Sequence, residues 1–224
     1  MKTREFKTHV YNELAAITKS LASPHRLEII ELLAQGARHV EYIAENTGLS
    51  IANASQHLQI LKKARLVKAE KRGKYSYYSL ATMKVYKAWL AMRELGFSQN
   101  AEINSLINEF RRSKNSLESV SIDELSERLK QQDILLLDVR PADEYEQGHI
   151  RSSISIPSEE LTEKLRDLPK DKQIIAYCRG PLCAMADDAV QILQNHGFQS
   201  VRLAGGFPEW ASRGLPVDHK SDVK

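Results

Sequence analysis

Residues 173–177, Gln-Ile-Ile-Ala-Tyr, form a short apolar run that ends at Cys178-Arg179-Gly180-Pro181-Leu182-Cys183; residues 184–196 then carry Met185, Ala189, Ile192 and Leu193 at helical spacing. The run has the length and composition of a buried strand, and the segment after the loop reads as an amphipathic helix. The same alternation extends in both directions. It predicts strands at 119–120, 134–138, 153–156, 174–177 and 200–203, and helices at 122–131, 159–168, 184–196 and 208–213. Strands that alternate with helices specify an α/β domain with a mainly parallel sheet, in which chemistry sits at the carboxyl ends of strands. That is where Cys178 falls.

Cys178 and Cys183 are the two cysteines of the chain. A cysteine at a strand-to-helix turn faces unpaired backbone N–H groups and the positive end of a helix dipole, which together favour a thiolate. Its pKa is expected to fall from ~8.5 to roughly 4–7. Burial as an inert structural thiol is the competing fate, and Gly180 and Pro181, which shape the loop, argue against it. In a reducing compartment such a pair is redox-active, catalytic or ligating rather than a permanent staple.

At 224 residues the chain has room for two domains, and 42% hydrophobic residues suffice for two cores. No apolar run approaches membrane-spanning length, and Met1-Lys2-Thr3-Arg4-Glu5-Phe6-Lys7 lacks the apolar stretch of a secretory signal. The expectation is a cytoplasmic protein without a membrane partner. The net charge of +3 hides an asymmetry: residues 1–115 hold 19 Lys+Arg against 10 Asp+Glu, or +9, whereas residues 116–224 hold 13 against 19, or −6. The basic half has the electrostatic footprint of a nucleic-acid binder. Lys114-Asn115-Ser116 is a polar break, so the expected domains are 1–115 and 116–224.

Within the basic half, Ser23-Pro24 opens a helix with Ser as N-cap and Pro at the first position, followed by Leu27, Ile30, Leu33 and Ala34 on one face. Gly36 ends it. A short helix through Val40, Ile43 and Ala44 breaks at Asn46-Thr47-Gly48, and Ser50 caps a third helix. There Ala54, Leu58 and Leu61 recur at i, i+4, i+7 as a buried face, which leaves Asn53, Ser55, Gln56, His57, Gln59 and Lys62 as candidate DNA contacts. Gln and Asn pair bidentately with adenine, and Lys62 and Lys63 lie where phosphates are neutralised. Two β-rich runs, 66–70 and 75–80, flank Lys71-Arg72-Gly73-Lys74. They read as a hairpin whose Lys71, Arg72 and Lys74 lie along phosphates or in the minor groove. The pattern is a winged helix-turn-helix.

Residues 21–80 resemble the ArsR/SmtB family of small dimeric bacterial repressors, through Ser23-Pro24-His25-Arg26-Leu27, Ser50, Ser55-Gln56-His57-Leu58, Leu61, Leu66-Val67 and the basic wing. The resemblance implies a homodimer on an inverted repeat of double-stranded operator DNA, with helices around the core forming the dimer interface. Helices within 6–20, from 83 to 95 and from 101 to 112 are the candidates. Arg65 stands where the family usually has a glycine before Leu66-Val67, so the helix exit is shaped differently or adds a phosphate contact. The segment 38–42 has no cysteine where metal-sensing relatives carry a pair. His39, Glu41 and His57 lack a recognisable ligand spacing, and no metal or cofactor is expected.

Residues 116–215 resemble the rhodanese family, through Leu137-Asp138-Val139-Arg140-Pro141, Glu144-Tyr145, Gly148-His149-Ile150, Ile156-Pro157, Tyr177-Cys178 and Gly205-Gly206-Phe207-Pro208-Glu209-Trp210. The resemblance implies that Cys178, first in its loop, accepts sulfane sulfur as a persulfide from a donor such as thiosulfate or polysulfide. It further implies that the backbone amides of Arg179, Gly180, Pro181, Leu182 and Cys183 form the anion-binding loop. Family loops often end in Arg, and here that position is Cys183, which puts rapid thiosulfate turnover in doubt and makes Cys183 a resolving thiol. Arg179 is a replacement source of positive charge. Asp138, Arg140, Glu144 and His149 read as a fold-locking polar network rather than acid–base groups. The expected function is a transcriptional repressor that senses reactive sulfur or thiol oxidation through Cys178 and Cys183. The alternative is an active sulfurtransferase whose DNA-binding domain is not controlled by that chemistry.

Overall fold

The computed structural model describes residues 2–114, 118–131 and 133–219. Its contacts divide the chain into Met1–Met92 and Arg93–Lys224. The sequence-based division at 115/116 falls on residues outside the described set.

The first unit begins with α1 (Thr3–Leu21), α2 (Pro24–Leu33), β1 (Arg38–His39), α3 (Val40–Asn46) and α4 (Ile51–Lys63). The strands β2 (Val67–Arg72) and β3 (Tyr75–Leu80) follow, and α5 (Met83–Gln99) begins in this unit. The helical core is the one the spacing requires: Ala54, Leu58 and Leu61 of α4 are fully buried beside Ile29, Ile30 and Ile43. Ser50 caps α4 by accepting a hydrogen bond from the Asn53 amide at 3.2 Å. Ser23 occupies the N-cap of α2 with extended backbone, but its side chain makes no cap bond. Between α3 and α4, Gly48 takes a positive φ of 64° and the Leu49 amide reaches back to the Ala44 carbonyl. The wing is an antiparallel hairpin, Val67↔Leu80 through Arg72↔Tyr75, turning at Gly73 (φ 59°); β1 pairs on its other side, as Arg38↔Tyr78.

The exit from α4 forms although Arg65 is not a glycine. The Leu66 amide bonds to the Leu61 carbonyl and the Arg65 amide to the Lys62 carbonyl, each at 2.9 Å, which closes the helix as a Schellman motif. Arg65 holds φ at 60°, the left-handed conformation that favours glycine.

The second unit contains the end of α5, α6 (Ala101–Ser113), β4 (Ser119–Val120), α7 (Ile122–Gln131), β5 (Ile134–Asp138) and α8 (Ala142–Gln147). It continues through β6 (His149–Ile150), β7 (Ile154–Ser155), α9 (Leu161–Lys164), β8 (Gln173–Tyr177) and α10 (Met185–Asn195). It closes with β9 (Ser200–Leu203), α11 (Phe207–Ser212) and β10 (Val217–Asp218). Five strands form one sheet in the order β4-β9-β8-β5-β7, with every pairing parallel. The small strands β6 and β10 pair antiparallel beside it.

Strand alternation sorts the second core into two layers. Ile174, Ala176 and Leu137 face Ala186, Ala189, Val190 and Leu193, which lie on α10. Ile175, Tyr177 and Leu136 face Leu125, Phe207 and Trp210. The strand order reverses between β5 and β8, because β5 continues to β7 on one side and β8 to β9 on the other. The segments leaving these two strands are Val139-Arg140 and the cysteine loop, so the loop stands at the switch point where such sheets bind ligands.

Candidate functional site

On α4, helical periodicity separates the buried face from a polar one. Asn53, Gln56, Gln59 and Lys62 are exposed, and Ser55 and His57 are half-buried. Gln59 Nε2 donates to the Tyr78 hydroxyl at 3.4 Å, so it is tied toward the wing. His57 lies against His25 of α2, with ring centroids 5.5 Å apart. Burial, with Arg26 and His25 nearby, holds its pKa below the usual histidine value. Lys71, Arg72 and Lys74 are exposed along the wing, but Arg72 pairs with Glu70 at 2.8 Å and lies over Tyr77. Among the described residues, no three His, Cys, Asp or Glu side chains are grouped as a metal site. His39 Nδ1 instead lies 2.9 Å from Glu41.

In the second unit, both cysteines are free thiols. Cys178 inherits the inward parity of Ile174 and Ala176, so it packs with Val139 and Ala186 and is 2% exposed. Cys183, at the mouth of α10, is half-buried, and Leu182 beside it is exposed. The Cys178 Sγ donates toward the Cys183 carbonyl at 3.6 Å and the Gly180 carbonyl at 3.9 Å. Burial pushes the Cys178 thiol well up, reinforced by Cys183. Cys183 is lowered to about 7, first by the hydrogen bond from Cys178 and then by the amides of Met185 and Arg179 and the Arg179 charge. An apolar pocket disfavours a charge on Cys178 and the surroundings of Cys183 favour one, and the two thiols titrate together.

The amides facing the sulfurs come from the loop and from the helix that follows it. They include those of Gly180 and Ala186 for Cys178 and of Arg179 and Met185 for Cys183, so the first turn of α10 contributes. Pro181 has no N–H to give. Arg179 lends its charge to Cys183, but its donors are turned to a carboxylate. Its Nε and Nη2 grip Glu144, a buried carboxylate, at 3.0 and 2.7 Å. The other network members behave as expected: Arg140 is fully buried on Asp138 and donates to the Gly148 carbonyl at 2.8 Å, while His149 stacks on Tyr145.

The loop rests on a floor that sequence reasoning did not assign. Gly206 lies so close beneath it that a Cβ would stand 2.5 Å from the Arg179 carbonyl carbon and the Gly180 nitrogen. The Phe207 amide donates to the Cys178 carbonyl at 3.2 Å. Glu209 accepts from the Gly206 amide at 2.9 Å and forms a buried ion pair with Arg93 of α5 at 2.5 Å. Above the loop, Arg111 of α6 donates to the Pro181 carbonyl at 2.9 Å. Asp187 and Asp188 occupy the first turn of α10 and pair with Arg202 (3.4 Å) and Lys114 (2.7 Å). Nothing local in the sequence marks Arg93, Arg111 or Arg202 as neighbours of the cysteines.

A winged helix-turn-helix joined to a parallel sheet with a two-cysteine loop at its switch point defines a DNA-binding regulator that carries a rhodanese-like domain. Residues 23–69 match the family described as bacterial regulatory protein, arsR family, and residues 121–213 match the rhodanese-like domain. The chain is 38% identical over 217 residues to the HTH-type transcriptional regulator Rv0324 of Mycobacterium tuberculosis, with 97% of this chain and 95% of that one covered. It belongs to that family: ArsR-type helix-turn-helix transcriptional regulators with a C-terminal rhodanese-like domain. Its second half is 33% identical over 100 residues to a sulfurtransferase of Allochromatium vinosum, covering 44% of this chain and 92% of that one. Among solved structures, the homodimeric winged helix-turn-helix domain Mb0332 of Mycobacterium bovis is similar at 35% identity, covering 45% of this chain and 91% of that one, with a TM-score of 0.42.

Proposed function

We propose that this regulator is a dimeric repressor whose operator affinity is set by the sulfur state of Cys178 and Cys183. On the DNA side, Asn53, Gln56 and Gln59 read bases, Ser55 and His57 flank them, and Lys62, Lys71, Arg72 and Lys74 contact phosphates. Phe6, Val10, Leu14 and Ile17 form an exposed apolar stripe along α1, which fits burial against a second copy. The observation that carries the sensing reading is the loop itself: both thiols of the chain share it, Cys178 buried in the core and Cys183 half-buried at its edge, with burial working against a charge on the first.

The chemistry follows from that division. The Cys183 thiolate attacks the outer sulfur of thiosulfate, the donor's S–S bond breaks, sulfite leaves, and Cys183 holds a persulfide anion. The Cys178 thiol then gives up its proton and attacks the Cys183 sulfur. Hydrosulfide leaves with that proton, and a Cys178–Cys183 disulfide remains. The two cysteines are oxidised by two electrons and the sulfane sulfur is reduced to sulfide. The sulfurtransferase alternative requires the persulfide to pass to an external acceptor, and a second thiol in the same loop, which competes for it, weighs against that.

The test pairs mass spectrometry of both cysteines with operator titrations before and after polysulfide treatment. Wild type should change affinity by about 5–150-fold, the span of a coupling free energy of ~1–3 kcal/mol. Cys183→Ser should take up no persulfide, and Cys178→Ser should accumulate one on Cys183 without bridging. Unchanged operator affinity of a fully modified wild type would overturn the sensor reading in favour of the sulfurtransferase.

A further inference from the structure

Arg111 lies in the last turn of α6, outside the segment that matches the rhodanese-like domain, and 70 residues before the loop carbonyl it binds. The neighbouring charges of that region are paired off. Lys114 holds Asp188, Arg202 holds Asp187, Arg179 holds Glu144 and Arg93 holds Glu209. Arg111 is different: among the described residues it has no carboxylate within ion-pair distance, and the Pro181 carbonyl is its hydrogen-bond acceptor. A half-buried guanidinium that spends one N–H on a neutral carbonyl has donors left in a planar fork suited to two anionic oxygens.

The electrostatics agree with the geometry. Burial depresses the Arg111 pKa, with Asp187 acting in the opposite direction. Burial also depresses Arg202, aided by the charge of Arg111, while Asp187 and Cys178 act against that depression. Arg202 stands opposite Ala176 in the β8–β9 register, two residues before Cys178. Two guanidiniums therefore share the field of one buried carboxylate beside the thiol pair, and an added anion relieves their repulsion.

We propose that Arg111 is the anion-binding group of the cysteine loop: its guanidinium takes the charged oxygens of a thiosulfate-like sulfur oxyanion and presents the outer sulfur to the thiolate. The inference rests on the reading that the loop accepts sulfane sulfur. It explains how a loop whose last position is Cys183, and whose own arginine is held by Glu144, still meets an anionic donor. The donors for the oxyanion arrive from α6. The site is thus completed by a helix that precedes the rhodanese-like segment, and a bound anion acts on that helix directly.

Two alkylating agents of similar size read the charge without requiring sulfur chemistry. On full-length protein, the ratio of thiol alkylation rates with iodoacetate (anionic) and iodoacetamide (neutral) should fall at least about fivefold in Arg111→Gln, because a desolvated cation no longer draws the anion. Arg111→Lys should keep most of the ratio. Persulfide formation from thiosulfate, followed by mass spectrometry, should fall in parallel in Arg111→Gln. An unchanged ratio in Arg111→Gln, or an equal loss in both variants, would overturn the proposal and leave Arg111 as a brace for Pro181. A ratio that falls as expected in a protein that takes up no sulfur from thiosulfate or polysulfide would keep the anion site and discard the sulfur-sensing reading.

Discussion

Helix α4 and the cysteine loop carry the candidate chemistry of the two units, and they hold it in opposite ways. On α4 the residues that pack, Ala54, Leu58 and Leu61, are separate from those that face outward, Asn53, Gln56 and Lys62. In the loop the reactive atoms are themselves part of the core: Cys178 packs with Val139 and Ala186, and Gly206 presses on the backbone that carries it. A binding surface made by helical periodicity can change its contacts without changing its fold. A thiol built into a core cannot bridge to a neighbouring sulfur without disturbing what packs on it, because interiors are close-packed. Under the proposed sensing role, that is a physical reason to place one of the two cysteines there.

The largest expected effect tests whether the loop is as integrated as this contrast requires. Arg93 and Glu209 form an ion pair in which the side chains are 5% and 7% exposed, and Glu209 also fixes the Gly206 amide. Arg93→Ala leaves a buried carboxylate without its cation, which should destabilise the second unit by about 3–5 kcal/mol. Hydrogen exchange at the β8 amides of full-length protein measures this. A loss below about 1 kcal/mol, well under the usual cost of a broken buried pair, would mean that the loop does not depend on its floor.

A middle-sized effect tests the other side. Gln56 is exposed on α4, so Gln56→Ala should leave stability within about 0.5 kcal/mol. If it reads a base bidentately, the same change should relax sequence preference at one operator position by ~1–3 kcal/mol. Titrations against a set of single-base operator variants give the answer. A uniform loss across all variants would make Gln56 a backbone contact and erase its part in the contrast.

The same contrast sets what could be read from sequence. The core face of α4 followed from spacing alone, and β5 and β9 occur at 134–138 and 200–203 as expected. Helix α8 was missed because Ala-Asp-Glu-Tyr-Glu-Gln has no apolar periodicity, and the two-residue strands β1, β6 and β10 are too short to show any. The helix expected at 159–168 is shorter, α9 giving way to a 3-10 turn at Leu165–Asp167. Residue type exposed the cysteines, but not the burial that sets Cys178 apart from Cys183. The signal was present, since Cys178 continues the inward parity of Ile174 and Ala176. Arg93 and Arg111 carried no such signal, because they reach partners 116 and 70 residues away.

The smallest expected effect concerns Arg65, where the first unit departs from its family's glycine yet keeps the helix exit. Both Schellman bonds are made, so the cost lies in holding φ at 60° with a side chain attached. A left-handed non-glycine residue costs roughly 1–2 kcal/mol, and glycine returns part of that gain through its greater freedom in the unfolded chain. Arg65→Gly should therefore stabilise the first unit by up to about 1 kcal/mol, measured by denaturant unfolding of full-length protein. Because the exit already has the glycine-like geometry, Arg65 is not needed to reshape it, and the remaining question is its charge. Arg65 is exposed, and each phosphate contact contributes about 0.9 to the slope of log affinity against log salt. An unchanged slope in Arg65→Gly would class Arg65 with the residues of α4 that are free of the fold, and a slope smaller by about one would make it a phosphate ligand that tolerates strain to stay in place.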